Sequence, residues 1–204
     1  MNFTPHNYQK YCIERLITEP ALGLFLDMGL GKTVTTLTAI KELKYYRFAV
    51  RKILVIAPKK VAEATWSNEA EKWDHLKGLR VSTVLGSKTK RISALAATAD
   101  VYVINRENVV WLVDNYRNDW PSDMVVVDES SSFKDQSTKR WKALKRVRPR
   151  IKRIVLHTGT PAPNDLIDLW AQVYLLDEGA RLGRTIGGFR ERYFNPDKRS
   201  ADRI

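Results

Sequence analysis

Two polar segments of the chain, each directly after an apolar run, have the residue types of a nucleoside triphosphate site. The first, residues 27–33, reads DMGLGKT and follows the apolar residues 22–26; the second is the carboxylate pair Asp128 and Glu129, which ends a run of valines. A glycine-containing loop that enters a helix points unpaired backbone N–H groups at a phosphate, and the helix dipole favours the negative charge. The sequence therefore predicts a phosphate-binding loop with carboxylates beside it.

The loop residues have distinct expected roles. Gly29 and Gly31 keep side chains away from the phosphates, Lys32 reaches the β- and γ-phosphates, and the Thr33 hydroxyl takes one position on Mg²⁺. The residues expected to bind the nucleotide through this loop are Met28, Gly29, Leu30, Gly31, Lys32 and Thr33.

The carboxylate pair supplies the remaining chemistry. We expect Asp128 to hold the same metal ion from a neighbouring strand and Glu129 to orient or deprotonate the attacking water. With Lys32 these two are the predicted catalytic residues. The strict loop pattern has glycine where this chain has Leu26. A glycine turn followed by an ordinary helix is the alternative, but the joint occurrence of both segments favours the nucleotide site.

Composition limits the class of protein. The chain has 204 residues, enough for one domain with a substantial core. Its 35 basic and 23 acidic residues give a net charge of +12, which favours polyanionic partners. The single cysteine, Cys12, excludes an internal disulfide framework and indicates a reducing compartment. Without a membrane-length apolar stretch or a signal peptide, the protein is expected to be cytoplasmic, with no membrane partner.

Apolar runs rich in valine and isoleucine alternate with segments of helical period. The predicted strands are 22–26, 53–57, 81–85, 101–104, 124–128 and 154–157, and the predicted helices are 8–18, 33–46, 61–74, 88–97, 107–115, 138–147 and 166–176. This alternation predicts an α/β fold, a doubly wound, mostly parallel sheet with helices on both faces. In such sheets ligands bind at the carboxyl ends of the strands, where Lys32, Asp128 and Thr158 lie.

The pattern decays after about residue 178 into sequence rich in glycine and arginine. We therefore expect one domain over residues 1–178 and a basic extension or linker over residues 179–204.

A third segment, residues 156–161, reads LHTGTP and closes the last predicted strand with a hydroxyl-rich turn. Together with the DMGLGKT loop and the Asp128–Glu129 pair, it resembles the first RecA-like lobe of a superfamily-two helicase. The resemblance is greatest to the Swi/Snf-type DNA translocases, including small versions carried by phages and prophages, and spans nearly the whole chain. It implies a RecA-like P-loop NTPase fold in a bacterial or phage-infected cell, with ATP and Mg²⁺ as cofactors.

The same resemblance assigns further residues on the nucleotide side. Gln9 would read the adenine edge and select ATP, although residues 8–9 are equally well the start of an amphipathic helix. Thr158, Gly159 and Thr160, with Ser131, would sense the nucleotide and couple it to the nucleic-acid groove.

On the nucleic-acid side, Lys59 and Lys60 resemble the segment that touches the nucleic-acid backbone. We interpret Trp66 and Trp73, seven residues apart on one predicted helix, as core packing. Asn105 and Arg106 follow another strand, where the family also meets DNA, with an exposed helix start as the alternative.

Residues 139–153 carry nine cations and no acid. Because helix faces exposed to water normally interleave both signs, we slightly favour nucleic-acid contact here, represented by Lys142 and Arg146.

Two departures from the family matter. Family members usually carry alanine and histidine after the two carboxylates, whereas this chain has Ser130 and Ser131. We therefore expect Ser131 to donate a hydrogen bond and no histidine to link the nucleotide site with Thr158. The family also has a second RecA-like lobe whose arginine reaches the γ-phosphate, so this chain alone should hydrolyse ATP slowly.

The sequence thus predicts the ATP-binding motor lobe of a DNA-dependent ATPase, a helicase or translocase, with a second RecA-like lobe in cis or in trans. Duplex DNA is the favoured track by analogy, and RNA stays open. The alternatives are a nucleotide-gated nucleic-acid-binding module without significant turnover and the motor part of an ATP-dependent restriction enzyme. A small-molecule kinase or a GTPase is disfavoured, because the chain has no guanine-reading motif and kinases need no TGTP turn.

Overall fold

The computed structural model describes residues 1–194 and contains six strands and eight α-helices over that range. The strands are β1 (Ala21–Phe25), β2 (Ile53–Ala57), β3 (Val81–Val84), β4 (Val101–Asn105), β5 (Met124–Asp128) and β6 (Arg153–Thr158). The helices are α1 (Asn7–Thr18), α2 (Lys32–Lys41), α3 (Trp66–Lys72), α4 (Lys88–Ala96), α5 (Val109–Tyr116), α6 (Lys139–Val147), α7 (Asp168–Asp177) and α8 (Ile186–Tyr193). Among the described residues, no helix is long and apolar enough to cross a membrane.

The six strands form one parallel sheet in the order β1-β6-β5-β2-β4-β3. Every residue of β2, β4 and β5 is buried, because these central strands have helices on both faces. On one face α1, α2 and α3 cover alternate residues such as Val55 and Val126, and on the other α5, α6 and α7 cover residues such as Ile56 and Val127. The predicted α/β fold is confirmed.

The register brings the ends of neighbouring strands to one level. Asp128 of β5 pairs with His157 of β6, and Thr158 of β6 pairs with Phe25 of β1. On the other side of β5, Ala57 pairs with Asn105. The segments that follow these strands therefore lie along a single carboxyl edge of the sheet.

Helix α8 departs from the prediction for the C-terminal part. The repeated glycines suggested an end of regular structure, but residues 186–193 form a helix that packs on α7. The Thr185 side chain accepts a hydrogen bond from the Gly188 N–H, and Phe189 is buried. The N-cap hydrogen bond and the burial of the Phe189 ring offset the low helix propensity of the glycines. The rest of the predicted extension, residues 195–204, lies outside the described residues, and the domain boundary stays a prediction.

Two arginines of the basic run 139–153 bind helix ends within the fold. Arg148 donates to the carbonyl oxygens of Leu175 and Leu176 at the end of α7. The Nη2 of Arg153 lies 2.7–2.9 Å from three carbonyl oxygens at the end of α1, those of Leu16, Ile17 and Glu19. Both guanidinium groups satisfy carbonyls that a helix end leaves unpaired.

Asp100 is a fully buried carboxylate that ties two loops together. It accepts a hydrogen bond of 2.7 Å from the Arg80 N–H, and the Lys44 ammonium lies 3.2 Å from its other oxygen. Burial alone would raise the pKa of Asp100, but the donors from Arg80, Tyr45 and Lys44 hold that pKa below its usual value.

This lowered pKa predicts a pH-dependent stabilisation. A depressed folded-state pKa contributes stability that is fully present above the unfolded value of about 3.9 and is lost as the pH falls towards the folded value. We expect Asp100→Asn to lower the free energy of unfolding by about 1.5–3 kcal/mol at pH 7, and by progressively less below about pH 4. Urea unfolding between pH 7 and pH 3 measures this, with exposed Asp119→Asn as the control. A deficit that stays constant over this range would contradict the assignment.

Candidate functional site

A pocket of about 720 Å³ opens at the carboxyl end of β1 and β5. This volume lies within the range of about 300–1,000 Å³ typical of small-molecule sites. Its lining includes most of the residues predicted to bind or hydrolyse a nucleotide: Gln9, Met28, Gly29, Gly31, Lys32, Thr33, Asp128 and Glu129. Of the predicted loop residues only Leu30 is missing from this lining, and its carbonyl oxygen faces Tyr8 and Gln9 instead.

The loop between β1 and α2 has the backbone that a phosphate cradle requires. Gly29 and Gly31 have φ angles of 81° and 71°, a region that side chains other than glycine rarely adopt. A Cβ atom on Gly31 would also lie 2.7 Å from Nε2 of Gln9. Gly31 is therefore required by the turn, and a side chain there would also displace the end of the Gln9 side chain. Gly31 directly precedes α2, whose first three residues, 32–34, line the pocket.

Lys32 is held at the mouth of its own loop. Its ammonium donates to the carbonyl oxygens of Leu26 at 2.7 Å and of Asp27 at 3.0 Å. These two bonds place the positive charge beside the loop N–H groups, where a β- or γ-phosphate oxygen can replace a carbonyl as its partner.

Gln9 joins the start of α1 to the phosphate loop. Its side chain is buried, its Oε1 accepts a 2.9 Å hydrogen bond from the His6 N–H, and its Nε2 lies 3.5 Å from the Leu30 oxygen. The rings of His6 and Tyr8 stack beside it, with centroids 5.8 Å apart. Residues 8–9 do lie at the start of a helix, which was the alternative considered from the sequence. The reading of adenine by Gln9 stays a prediction.

The N-terminal segment and α3 form a wall of the pocket that the sequence did not predict. Phe3 packs edge-on against Trp73 at 5.3 Å, and both line the pocket with Glu69, whose carboxylate accepts from the Trp73 indole N–H. The sequence signal for this contact was limited to the aromatic residues at positions 3 and 73.

Asp128 is buried, with 7% of its surface exposed, and its oxygens have fixed neighbours. One oxygen accepts from the Trp66 indole N–H at 3.0 Å, and the other accepts from the Glu129 N–H at 3.1 Å. Burial alone would raise the pKa of Asp128, but the groups that His157, Trp66 and the Glu129 amide turn toward it favour the ionised form and hold that pKa below its usual value. A buried, ionised carboxylate is a suitable ligand for a divalent cation.

Thr33 and Asp128 fit a magnesium ion that is bound mainly through phosphate oxygens and water. Both line the same pocket, one on α2 and one at the end of β5. Within residues 1–194, no cluster of three or more His, Cys, Asp or Glu side chains could hold a metal alone. One carboxylate, one hydroxyl and the substrate's phosphates form the kind of ligand set that Mg²⁺ usually has.

The expectation that no histidine links the nucleotide site with Thr158 is wrong. His157, the residue before Thr158, has its Nδ1 3.6 Å from an Asp128 oxygen and its Nε2 2.8 Å from the Thr36 hydroxyl on α2. The histidine comes from β6 because residues 128 and 157 are paired in the parallel register and share one face of the sheet. The sequence signal for this contact was a histidine directly after the apolar residues 154–156 of β6.

Glu129 has a left-handed backbone, with φ 55° and ψ 56°. This conformation starts the 3₁₀ turn Ser130–Phe133 and leaves the Glu129 side chain on the lining of the pocket. Bulky residues adopt it at a free-energy cost of about 1–2 kcal/mol. Such strain is common where a side chain must be directed into a site.

The contact between the carboxylate loop and the TGTP turn runs through Ser130 rather than through the predicted Ser131. The Ser130 hydroxyl donates to Oε1 of Gln172 at 2.8 Å, and Nε2 of Gln172 donates to the Pro161 oxygen at 2.6 Å. Within residues 1–194, the Ser131 hydroxyl makes no hydrogen bond. A second link joins Lys134 to Asp168 at 3.2 Å.

The TGTP turn also touches the phosphate loop directly. Thr158 is buried, and its hydroxyl accepts from the Thr160 N–H at 3.0 Å. A Cβ atom on Gly159 would lie 3.4 Å from the Leu26 oxygen and 3.5 Å from the Met28 nitrogen. The backbones of the turn and of the phosphate loop therefore lie close together, which supports the predicted coupling role of this turn.

The other half of the carboxyl edge carries the residues predicted to meet nucleic acid. A cavity of about 440 Å³ at the ends of β2, β3 and β4 is lined by Lys59, Glu63, Leu85, Gly86, Asn105 and Asn108. Lys59 and Lys60 are exposed, and the Lys59 ammonium lies 3.9 Å from Glu63. Asn105 is buried and donates to Glu107, and Arg106 starts a 3₁₀ turn and pairs with the same carboxylate.

Lys142 and Arg146 lie elsewhere. Both are exposed on α6, which packs against α5 and α7 beneath one face of the sheet and does not line either cavity. Arg146 forms an ion pair of 2.9 Å with Asp114. The structure therefore does not bring these two residues together with Lys59, Lys60, Asn105 and Arg106.

Comparison with known proteins gives consistent results. A family model described as SNF2-related domain matches residues 8–188. Protein p41 of Acyrthosiphon pisum secondary endosymbiont phage 1 is 41% identical over 198 residues, covering 94% of this chain and 43% of that protein. DNA excision repair protein ERCC-6-like of Homo sapiens is 32% identical over 192 residues, covering 87% of this chain and 14% of that protein.

The fold is also found among solved structures, at low sequence identity. The Sulfolobus solfataricus SWI2/SNF2 ATPase core in complex with dsDNA matches with a TM-score of 0.76 and 24% identity, covering 94% of this chain and 39% of that one. The six-stranded parallel sheet therefore has the RecA-like fold of that structure. The chain spans less than half the length of each of these three relatives.

The strain at Glu129 predicts an unusual response to glycine. We expect Glu129→Gly to raise the free energy of unfolding by up to about 1 kcal/mol, because relief of the left-handed strain exceeds the entropy that glycine adds to the unfolded chain. Glu178, with φ 56°, should respond in the same way. Glu71→Gly, in the exposed part of helix α3, should instead lower it by about 1 kcal/mol. Urea unfolding of the three variants measures this, and destabilisation by Glu129→Gly would refute the strain.

Proposed function

We propose, because this chain belongs to the family of SNF2-related domains, that it is the ATP-binding motor lobe of a DNA-dependent ATPase and couples ATP hydrolysis to movement along nucleic acid. The observation that carries this proposal is the common pocket of the phosphate loop and the carboxylate pair, in which Lys32 and Thr33 on α2 lie with Asp128 and Glu129 at the end of β5. Phosphoryl transfer needs positioning and charge stabilisation, and these residues supply both.

In this proposal the triphosphate lies against the N-terminus of α2. Lys32 exchanges its carbonyl partners for phosphate oxygens, and Thr33 and Asp128 would hold Mg²⁺. A bound ion would supply positive charge against the charge that develops on the phosphates. Glu129 orients the attacking water, and Gln9 selects adenine from the buried position where it contacts the loop.

We propose that nucleotide state reaches the rest of the lobe through the turn at Thr158–Thr160. Two features support this. Gly159 packs on the backbone of the phosphate loop, and Gln172 hydrogen-bonds both to Ser130 beside the carboxylates and to Pro161 at the end of the turn. A change in the nucleotide site would therefore move the turn through direct contacts.

Duplex DNA is the proposed track. The Sulfolobus solfataricus relative was solved in complex with dsDNA, and the exposed Lys59 and Lys60 lie on the same carboxyl edge as the nucleotide pocket. DNA bound there would lie beside the strands that end in the nucleotide site, so one edge of the sheet would serve both ligands.

We further propose that a second RecA-like lobe, in the same chain or in another, completes the active site. The chain spans 43% of the phage relative, which leaves room in that protein for a lobe of similar size. An arginine supplied across a nucleotide accelerates related phosphoryl transfers by about 10³–10⁵. The 204-residue chain alone would then bind ATP and turn it over slowly, which makes nucleotide-gated DNA binding the second candidate function.

Two substitutions test the nucleotide site. We expect Lys32→Ala to abolish ATP binding, because the charge that meets the phosphates is lost. Glu129→Gln should keep ATP binding and lose turnover, because the amide cannot activate water. Binding of a fluorescent ATP analogue and phosphate release, each with and without duplex DNA, distinguish these effects. Normal hydrolysis by Glu129→Gln would refute the role of Glu129, and the exposed Glu71→Gln serves as the matched control.

The DNA surface is tested by removing two charges at a time. We expect Lys59→Ala with Lys60→Ala to reduce the slope of log K against log salt by about 2, since each phosphate contact contributes about 0.9. Arg150→Ala with Lys152→Ala removes the same charge just before β6, at the opposite edge of the sheet, and should leave the slope unchanged.

The pair Lys142→Ala with Arg146→Ala decides whether α6 also contacts DNA. Equal effects from all three pairs, measured by fluorescence anisotropy over a salt series, would mean that binding follows net charge and not the proposed edge.

A further inference from the structure

Four buried polar or indole side chains meet behind the nucleotide pocket, each from a different element. They are Thr36 of α2, Trp66 of α3, Asp128 of β5 and His157 of β6, and none has more than 7% of its surface exposed. Buried polar groups lower the stability of the fold unless they are hydrogen-bonded. Apolar side chains could fill the same space without needing hydrogen-bond partners. The arrangement therefore needs an explanation beyond packing.

Trp66 contributes more than hydrophobic volume. Its indole N–H donates to Oδ2 of Asp128 at 3.0 Å, and its ring stacks on that of His157, with centroids 6.0 Å apart and planes 12° apart. Because an indole has one donor and a rigid ring, this bond fixes the direction in which the carboxylate points.

His157 faces the other oxygen of the same carboxylate. When the Thr36 hydroxyl donates to Nε2, at 2.8 Å, Nδ1 is the ring nitrogen that carries a proton. Nδ1 is buried without a hydrogen-bond partner and lies 3.6 Å from Oδ1 of Asp128. Nδ1 is thus a buried donor without an acceptor, and it faces the carboxylate that is proposed to bind the metal. A slight shift of that carboxylate would bring its oxygen within hydrogen-bonding distance of Nδ1.

The elements that carry these contacts lead to every part of the proposed motor. Thr36 is one turn beyond Lys32 and Thr33 on α2, His157 directly precedes Thr158, and Trp66 starts α3, which follows the segment of Lys59 and Lys60. The Asp128 carboxylate thus contacts Trp66, which follows the nucleic-acid segment, and lies near His157, which precedes the TGTP turn and contacts Thr36 of the phosphate-loop helix.

We propose that Trp66 and His157 are positioning residues, which act through Asp128 by each facing one of its two oxygens and so fixing the orientation that binds Mg²⁺. This inference rests on the proposed function. Side chains behind a metal ligand orient it, and their loss typically lowers metal affinity by about 10–100-fold. The gain in nucleotide affinity that magnesium provides should therefore depend on Trp66 and His157, while nucleotide binding without magnesium should not.

The test measures the dissociation constant of a fluorescent ATP analogue for the whole chain, in excess Mg²⁺ and in EDTA. The ratio of the two constants is the magnesium increment. Trp66→Phe should lower this increment about 10-fold and leave the EDTA value unchanged. Trp141→Phe is the matched control, because Trp141 is equally buried and its indole N–H donates to the Ala171 oxygen on the other face of the sheet. It should keep the full increment.

His157 is tested by two substitutions that do not depend on the folding of Trp66→Phe. His157→Leu should lose the increment, and His157→Asn should restore part of it, since the Asn amide can donate from the place of Nδ1. Thr36→Val should act like His157→Leu, whereas Thr38→Val, which removes a hydroxyl from the same helix that bonds to His75, should not.

The outcomes separate this inference from the function on which it rests. A wild-type chain with no magnesium increment would overturn the proposed nucleotide site and this inference with it. A normal wild-type increment that Trp66→Phe and His157→Leu both retain, or that Trp141→Phe loses equally, would overturn the positioning role alone. Thermal unfolding of each variant shows whether the fold is intact before its binding is compared.

Discussion

A carboxylate buried as deeply as that of Asp128 can stay ionised only if fixed donors surround it, and much of the site is arranged to supply them. Trp66 donates to it from α3 and the Glu129 amide donates from the strained turn that follows, while His157 of the neighbouring strand lies 3.6 Å away. Each of these groups belongs to a different element at the carboxyl edge. The position of one side chain is thereby connected to the phosphate loop, to the TGTP turn and to the segment of Lys59 and Lys60.

The parallel sheet makes this convergence possible. Parallel strands end at the same edge, and the order β1-β6-β5-β2-β4-β3 places the nucleotide elements on β1, β6 and β5 and the proposed nucleic-acid elements on β2, β4 and β3. β5 and β2 are neighbours at the middle of the edge, so the two halves meet at the strand that carries Asp128. Because β2, β4 and β5 are buried throughout, the edge is supported by the most rigid part of the core.

Local sequence patterns predicted much of the fold and of the pocket. Apolar runs located all six strands to within about two residues, and the loop and carboxylates located the pocket, because their chemistry depends on neighbours along the chain. Strand order and register are long-range properties, and so the pairing of His157 with Asp128 and the bond from Trp66 could not be read from local sequence. Helix α8 was missed for a similar reason, since its glycines argue against a helix and only the buried Phe189 outweighs them. The roles of Gln9, Ser131 and the lysines stay predictions, as does the cytoplasmic location.

The substitution of serines for the usual alanine and histidine illustrates how a site can keep its contacts while its motif changes. Ser130 now bonds to Gln172 and through it to the TGTP turn, and a histidine approaches the Asp128 carboxylate from that turn's own strand. Two separate paths thus join the carboxylate loop to the turn. A histidine on β6 is held by the sheet register, whereas one in a 3₁₀ turn depends on the turn's conformation. The register therefore sets the distance from His157 to Asp128, and a carboxylate that is proposed to bind a small, geometrically demanding cation such as Mg²⁺ needs a fixed position of this kind.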